Sequence, residues 1–308
     1  MLPMESLSRR GFLGQTAALG IASLAGSLHT HLASQAEAAA SPEDGPWQIG
    51  CYTRPWDKFD YRKALDAIAE AGFKHAGMVF ARTNSTEVFS VSSPLEGAIR
   101  AGEEAKKRGL DILSVYGGAI NVEKRELGVV DLRHLIDLCA AAAAKTLLLC
   151  GVDDPRCHDT CFGAIADCCD YAAEKKIGLT VKPHGSLIGT GPQLRKVIEQ
   201  VNHKNCTIWY DAGNILYYSD GKLNPVDDAA TVDGMVTGWS IKDYRHPKQV
   251  DVTPGDGQVD FRGVLAQLKK GGFTGGPLLI ETLDLGDLPH LLAEAKKGRR
   301  FVEALIGR

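Results

Sequence analysis

The chain has 308 residues, 44% of them hydrophobic and 24% charged, with a formal net charge of −3. This is ordinary globular composition, and the length suffices to bury a sizeable core. With no basic block and no acidic tail, neither nucleic-acid binding nor polybasic docking on membranes has compositional support.

The first forty residues differ from the rest. Leu7–Leu13 reads LSRRGFL and precedes the Gly/Ala-rich run Ala17–Leu28, which is too short for a folded membrane span. The small residues of Ala36–Ser41 suit a signal peptidase. The pair Arg9–Arg10 ahead of Gly-Phe-Leu resembles a twin-arginine export signal. Residues 1–40 are thus expected to be removed on export to the periplasm or another extracytoplasmic space, with no membrane span left. Residues 41–308 are expected to form one domain. All eight cysteines lie in that domain. Most sit in apolar patterns, where a thiol packs as a small hydrophobe. No CxxC pair marks a zinc site. Buried free thiols are the expectation, with one disulfide within residues 157–169 as the alternative that export would allow.

Short apolar strands then alternate with helical patterns. The strands are read at Trp47–Thr53, His75–Phe80, Leu110–Gly117, Lys145–Gly151, Ile177–His184, Cys206–Gly213, Val236–Asp243 and Gly276–Thr282. Helices are read at Asp60–Gly72, Val130–Ala144, Asp167–Lys176, Pro192–Val201, Asp260–Gly272 and Leu288–Gly307, from apolar residues at three- and four-residue spacing. The segments KKRGL, EKKIGL and KKGGF place cations and glycine directly before the next strand, and AEAGF places glycine there, as helix ends do. Eight units of about 30 residues fit a (β/α)₈ TIM barrel in a single domain. A doubly wound open sheet is the competing fold, weakened by the lack of GxGxxG or GxxxxGK[ST] after any strand.

In such a barrel the active site lies at the C-terminal ends of the strands. The polar residues there are Arg54 and Trp56 after the first strand, Tyr116 at the third, and Asp153 and Asp154 after the fourth. Lys182 and His184 close the fifth, Asp211 and Asn214 the sixth, Lys242, Asp243 and Arg245 the seventh, and Glu281 the eighth. Any one of them has a bland reading as a cap, rim salt bridge or loop residue. The run of strands five to eight, each ending in an ionisable group, is harder to assign that way. Trp56, Tyr116, Trp209 and Tyr210 offer flat faces for a ring-shaped ligand, although strand alternation sends some of them to the core. The glycine-rich turn TPGDGQVDF (Thr253–Phe261) reads as loop closure entering a helix, with Asp256 or Asp260 as cap.

The segments TVKPHG, WYDAGN, WSIKDYR, PGDGQVDF and LLIET, in this order, resemble successive motifs of the xylose isomerase-like barrel family of sugar and sugar-phosphate isomerases and epimerases. The resemblance runs from about residue 47 to 306. It implies one divalent metal (Mg²⁺, Mn²⁺ or Zn²⁺) between a strand-five Glu, a strand-six Asp, a strand-seven His and a strand-eight Glu, polarising a carbonyl while a carboxylate moves the proton. Asp211 and Glu281 fit two of these ligands. Lys182 stands at the Glu position, Ser240 at the His position, and Asn214 where many relatives carry another histidine.

A lysine beside Asp211 and Glu281 occupies the charge position of a metal. A displaced metal on His184, Asp211 and Glu281 stays open as an alternative. The resemblance and the residues together imply an exported sugar isomerase, epimerase or keto-sugar lyase with a small carbohydrate substrate. Lys182, Glu281 and His184 are its candidate catalytic groups. Arg54, Trp56, Tyr116, Asn214, Lys242, Asp243 and Arg245 are its candidate substrate contacts. The alternative from another class is a carbohydrate-binding barrel without turnover.

Overall fold

The computed structural model describes residues 46–308, so the expected export signal, with Arg9 and Arg10, lies outside the described residues. Eight parallel strands close into a barrel: β1 (Trp47–Tyr52), β2 (His75–Met78), β3 (Asp111–Tyr116), β4 (Thr146–Leu149), β5 (Gly178–Val181), β6 (Cys206–Tyr210), β7 (Val236–Ile241) and β8 (Gly276–Ile280). Each strand pairs with the next, and β1 pairs with β8 from Trp47↔Gly276 to Cys51↔Ile280. All eight strands coincide with apolar segments read in the sequence, trimmed by one to three residues at their ends.

The helices are α1 (Tyr61–Glu70), α2 (Leu95–Lys107), α3 (Arg125–Ala141), α4 (His158–Glu174), α5 (Gly191–Val201), α6 (Ala212–Tyr218), α7 (Pro225–Ala230), α8 (Phe261–Lys270) and α9 (Leu288–Leu305). Their apolar stripes face the sheet; α8, for example, buries Phe261, Val264, Leu265 and Leu268 at helical spacing. Aspartates start several of them, with Asp60, Asp211, Asp260 and Asp287 each accepting a backbone N–H from the first turn. The short helices α6 and α7 have no counterpart in the sequence reading, and of α2, whose apolar face is mostly alanine, only the end at KKRGL is read there. A two-stranded hairpin, Arg82–Thr83 with Thr86–Glu87, follows β2. Among the described residues no helix is long and apolar enough to cross a membrane.

Helices α1 and α4 end differently. Gly72 takes a left-handed conformation (φ 90°) after α1, which suits a residue without Cβ. After α4 it is Lys176, at φ 60°, that makes the same turn, and Gly178 already belongs to β5.

Strand alternation sorts side chains into two layers. The outer layer, against the helices, takes Leu179, Val181, Ile208, Tyr210, Trp239, Ile241, Leu278 and Ile280. The second apolar cluster, in the barrel interior, is formed by Tyr52, Val79, Leu113, Leu148, Trp209 and Leu279. Trp209 is therefore the floor beneath the barrel mouth, while Tyr210 points outward, its hydroxyl donating to the Pro225 carbonyl and Asp228. Neither offers a face to a ligand.

All eight cysteines are free thiols, six of them buried, as expected, and the alternative disulfide within residues 157–169 is not formed. Cys161, Cys168 and Cys169 ride on one helix with Cys157 at its start, where helical spacing keeps the sulfurs apart. The Cys169 thiol instead donates to the Ile165 carbonyl at 3.3 Å, with Cys206 of β6 beside it.

Candidate active site

The same alternation fixes what reaches the mouth. Trp209 and Leu279 face the interior, so Asp211 and Glu281, two residues further on, do too. Lys182 and Lys242 end β5 and β7 in the same phase. Four consecutive strands thus deliver cation, anion, cation and anion to one point.

The four groups meet there. Lys182 Nζ donates to Asp211 Oδ2 at 3.1 Å and to Glu281 Oε2. Lys242 Nζ contacts Asp211 Oδ2 at 3.3 Å and Glu281 Oε1 at 2.6 Å, and donates to Asn214 Oδ1 at 3.1 Å. Arg54, in the 3₁₀ turn after β1, adds a third cation with Nη1 at 3.3 Å from Glu281 Oε1, while its Nη2 reaches Asp251 at 3.5 Å. Lys182, Lys242, Asp211 and Glu281 are all buried, at 0–5% exposure. Groups this dry interact far more strongly than they would in water.

Local structure holds each member. Asp211 is also the N-cap of α6, its Oδ1 accepting the Asn214 backbone N–H at 2.9 Å. The Asn214 amide donates to the Pro183 carbonyl at 2.7 Å, which turns its Oδ1 toward Lys242. At Gly213 a Cβ would stand 2.7 Å from the Lys242 carbonyl, so only glycine lets α6 lie this close to the end of β7.

Protonation follows from burial and neighbours. Burial works against the Lys182 ammonium, but Glu281 and Asp211 overcome it and raise its pKa. Lys242 is lowered: burial dominates, and repulsion from Lys182 and Arg54 offsets part of the attraction of Asp211 and Glu281. Burial also opposes ionisation of Glu281, yet Lys182, Lys242 and Arg54 hold its carboxyl well below the usual range. His184 is lowered from its ordinary 6.5 by burial and by Lys182 and Lys242, so its imidazole is neutral at pH 7.

Above these groups opens a cavity of about 230 Å³, lined by Arg54, Lys182, His184, Asn214, Lys242 and Glu281 at its polar end. Aromatic side chains form much of the remaining wall. Phe80 meets Tyr116 edge-to-face at 5.9 Å, and Tyr218 touches both His184 (5.2 Å) and Tyr217 (5.0 Å). Burial raises the Tyr116 and Tyr218 hydroxyls to about 12, keeping both protonated. Phe80, Tyr217 and Tyr218 were absent from the sequence reading. Asn214, Tyr217 and Tyr218 stand at i, i+3 and i+4, one face of α6, which would have revealed the tyrosines had that helix been recognised.

The expected residues divide. The structure brings Arg54, Tyr116, Lys182, His184, Asn214, Lys242 and Glu281 to one cavity, with Asp211 buried behind it. Lys242, expected as a substrate contact, lines the cavity and also shares Asp211 and Glu281 with Lys182. Trp56 does not line the cavity: it is 1% exposed and part of the core between sheet and helices. Asp243 serves the backbone, accepting N–H groups from Tyr244, Gly255, Gly257 and Val259 and so clamping the glycine-rich turn. Arg245 is outside the cavity, bonded to the Asp256 carbonyl. Asp153 braces the Ser186 turn, and Asp154 caps a 3₁₀ turn.

A divalent metal does not fit these residues. The carboxylates it would need are each bonded to two ammonium groups, whose charge opposes a cation at the same point. His184, Asp211 and Glu281 do not form the displaced site left open above. Among the described residues no three His, Cys, Asp or Glu side chains are grouped to hold an ion.

Solved structures share the architecture at low identity. D-psicose 3-epimerase, solved in the presence of D-fructose, superposes with a TM-score of 0.67 at 13% identity, over 85% of this chain and 100% of that one. L-ribulose 3-epimerase gives 0.65 at 14%, over 84% and 94%. The apo 3-keto-D-glucoside 4-epimerase of E. coli gives 0.61 at 15%, over 83% and 99%. No curated protein sequence matches the chain. The family model of the xylose isomerase-like TIM barrel matches residues 65–305, and the chain belongs to that family.

Proposed function

We propose that the protein is a sugar isomerase or epimerase that moves a proton on the carbon beside a carbonyl, with the Lys182 ammonium where the family resemblance implies a metal. One observation carries this reading: Lys182, held protonated between Asp211 and Glu281, lines the cavity. The psicose, ribulose and keto-glucoside epimerases of the same fold support a sugar as substrate. Export directed by Arg9 and Arg10 would place the reaction in the periplasm.

In this account Lys182 donates to the carbonyl oxygen and stabilises the negative charge that develops there as the α-proton leaves. A preorganised cation in a dry site favours that charge without reorganising. Neutral His184, on the same cavity, accepts the proton. Return of the proton to the neighbouring carbon, as the hydroxyl there gives up its own proton and becomes the carbonyl, isomerises the sugar; epimerisation needs the proton to return from the opposite face, with solvent as its donor. Glu281 is unsuited as the base, because both its oxygens already accept from cations. It orients Lys182 instead.

The test is solvent exchange. The purified protein is incubated in D₂O with a panel of ketoses and aldoses, and deuterium at carbon is followed by NMR. Incorporation beside the carbonyl is the expected result. Sugar binding without exchange would leave the non-catalytic carbohydrate-binding barrel in its place.

A further inference from the structure

Resting on the reading of this cavity as a sugar site, its charges say more about which sugar. Three cationic side chains line it, Arg54, Lys182 and Lys242, against one carboxylate, Glu281. Asp211 is fully buried behind the lysines, and His184 is neutral. Asp251 balances Arg54 only from the rim, where it is exposed and screened by salt. Asp211 and Glu281 offset the charges of Lys182 and Lys242 by direct ion pairs, so Arg54 is the charge that a neutral sugar would leave answered only by a shared Glu281 oxygen and by Asp251 at the rim.

Arg54 is the cation least committed to the cluster. Its two ion pairs are long, 3.3 and 3.5 Å, and its side chain is 23% exposed, against 5% for either lysine. A guanidinium presents paired donors in a planar fork that matches a carboxylate. We propose that the cavity takes a sugar acid, a monosaccharide bearing a carboxylate as in a uronate or aldonate, with Arg54 binding that carboxylate and Asp251 giving way to it. A cavity of about 230 Å³ is below the range of drug-sized sites and suits one such ring or open chain.

Titration calorimetry on the full chain tests this with sugars differing only at C6: D-glucuronate against D-glucose, and D-galacturonate against D-galactose, with D-glucose 6-phosphate as a further arm. The acids should bind at least about tenfold more tightly than their neutral partners, as a charged hydrogen bond supplies. That preference should shrink at high salt. Arg54→Gln should abolish it while the lysine–carboxylate cluster stays intact. Asp251→Asn, a rim change with little risk to folding, should strengthen acid binding by freeing Arg54. Equal affinity for acid and neutral sugar, tighter binding of the phosphate, or a preference unaffected by Arg54→Gln would overturn the proposal and leave the isomerase reading standing. No binding of any sugar would remove both.

Discussion

Lys182 and Lys242 both pair with the same oxygen, Asp211 Oδ2, at 3.1 and 3.3 Å. The strands that carry them, β5 and β7, flank the strand that carries Asp211. Glu281 repeats the arrangement from β8, giving one oxygen to each lysine. Burial lowers the Lys242 amine, with the Lys182 charge a smaller push in the same direction, whereas at Lys182 the attraction of Glu281 and Asp211 overcomes burial and raises it. The cluster is a structural tie across four strands and, in the proposed mechanism, the fixed cation for a developing enolate.

Replacing Lys182 by Met should separate those two roles. Loss of the preorganised cation lowers kcat/KM by about 10²–10³-fold. Breaking a buried ion pair from one side should also cost about 3–5 kcal/mol in denaturant unfolding, moderated because Lys242 still faces both carboxylates. Lys182→Arg keeps the charge and should recover more stability than activity, since the larger fork cannot hold the same position. Equal recovery of both would reduce Lys182 to a structural group.

The acid limb of the pH–rate profile should belong to His184. Its neutral form is the base, and burial beside two lysines lowers its pKa, so activity should hold down to below pH 6.5 before falling. Lys182, raised above its ordinary 10.5, should produce no loss of activity on the alkaline side below that value. Stability follows the same sign. Below pH 6.5 the unfolded chain binds a proton at this histidine before the folded chain does, so stability falls there as the pH drops and levels off below the folded-state pKa. His184→Asn should remove the limb; an unchanged profile would assign the base elsewhere.

Asp243→Asn tests a correction rather than a role in chemistry. One acceptor oxygen in place of two leaves part of the Gly255–Val259 turn without its bonds, at a cost of about 1–3 kcal/mol. Its melting temperature should drop while KM is retained. A large rise in KM with unchanged stability would return Asp243 to the substrate contacts.

Much of this architecture was legible because β-strands buried on both faces read as apolar runs, and each run ended on a polar group in constant phase. Lys182 and Lys242 close LTVK and WSIK alike, yet only the first lysine stands out, because it occupies a position where a carboxylate was anticipated. That Lys242 shares the carboxylates depends on register between β5, β6 and β7, including the irregularity at Ile208/Trp209, which no local pattern encodes. Trp56 and Arg54 show the same limit. They are two residues apart in one 3₁₀ turn, and only packing decides that the arginine enters the cavity and the tryptophan the core. Phe80 escaped because it lies past the end of β2, in a left-handed conformation (φ 53°) uncommon for an aromatic residue.

The claim that the two ammonium groups hold the place of a divalent ion is tested most directly by metal dependence. The measurement is turnover, or α-proton exchange in D₂O, for protein dialysed against EDTA and then supplied with Mg²⁺, Mn²⁺ or Zn²⁺, with bound metal quantified in each sample. The account predicts the same rate throughout and no stoichiometric metal, because each carboxylate a metal would use is already bonded to Lys182 and Lys242. Activity lost to EDTA and restored by one equivalent of metal, with Lys182→Met still active, would contradict it.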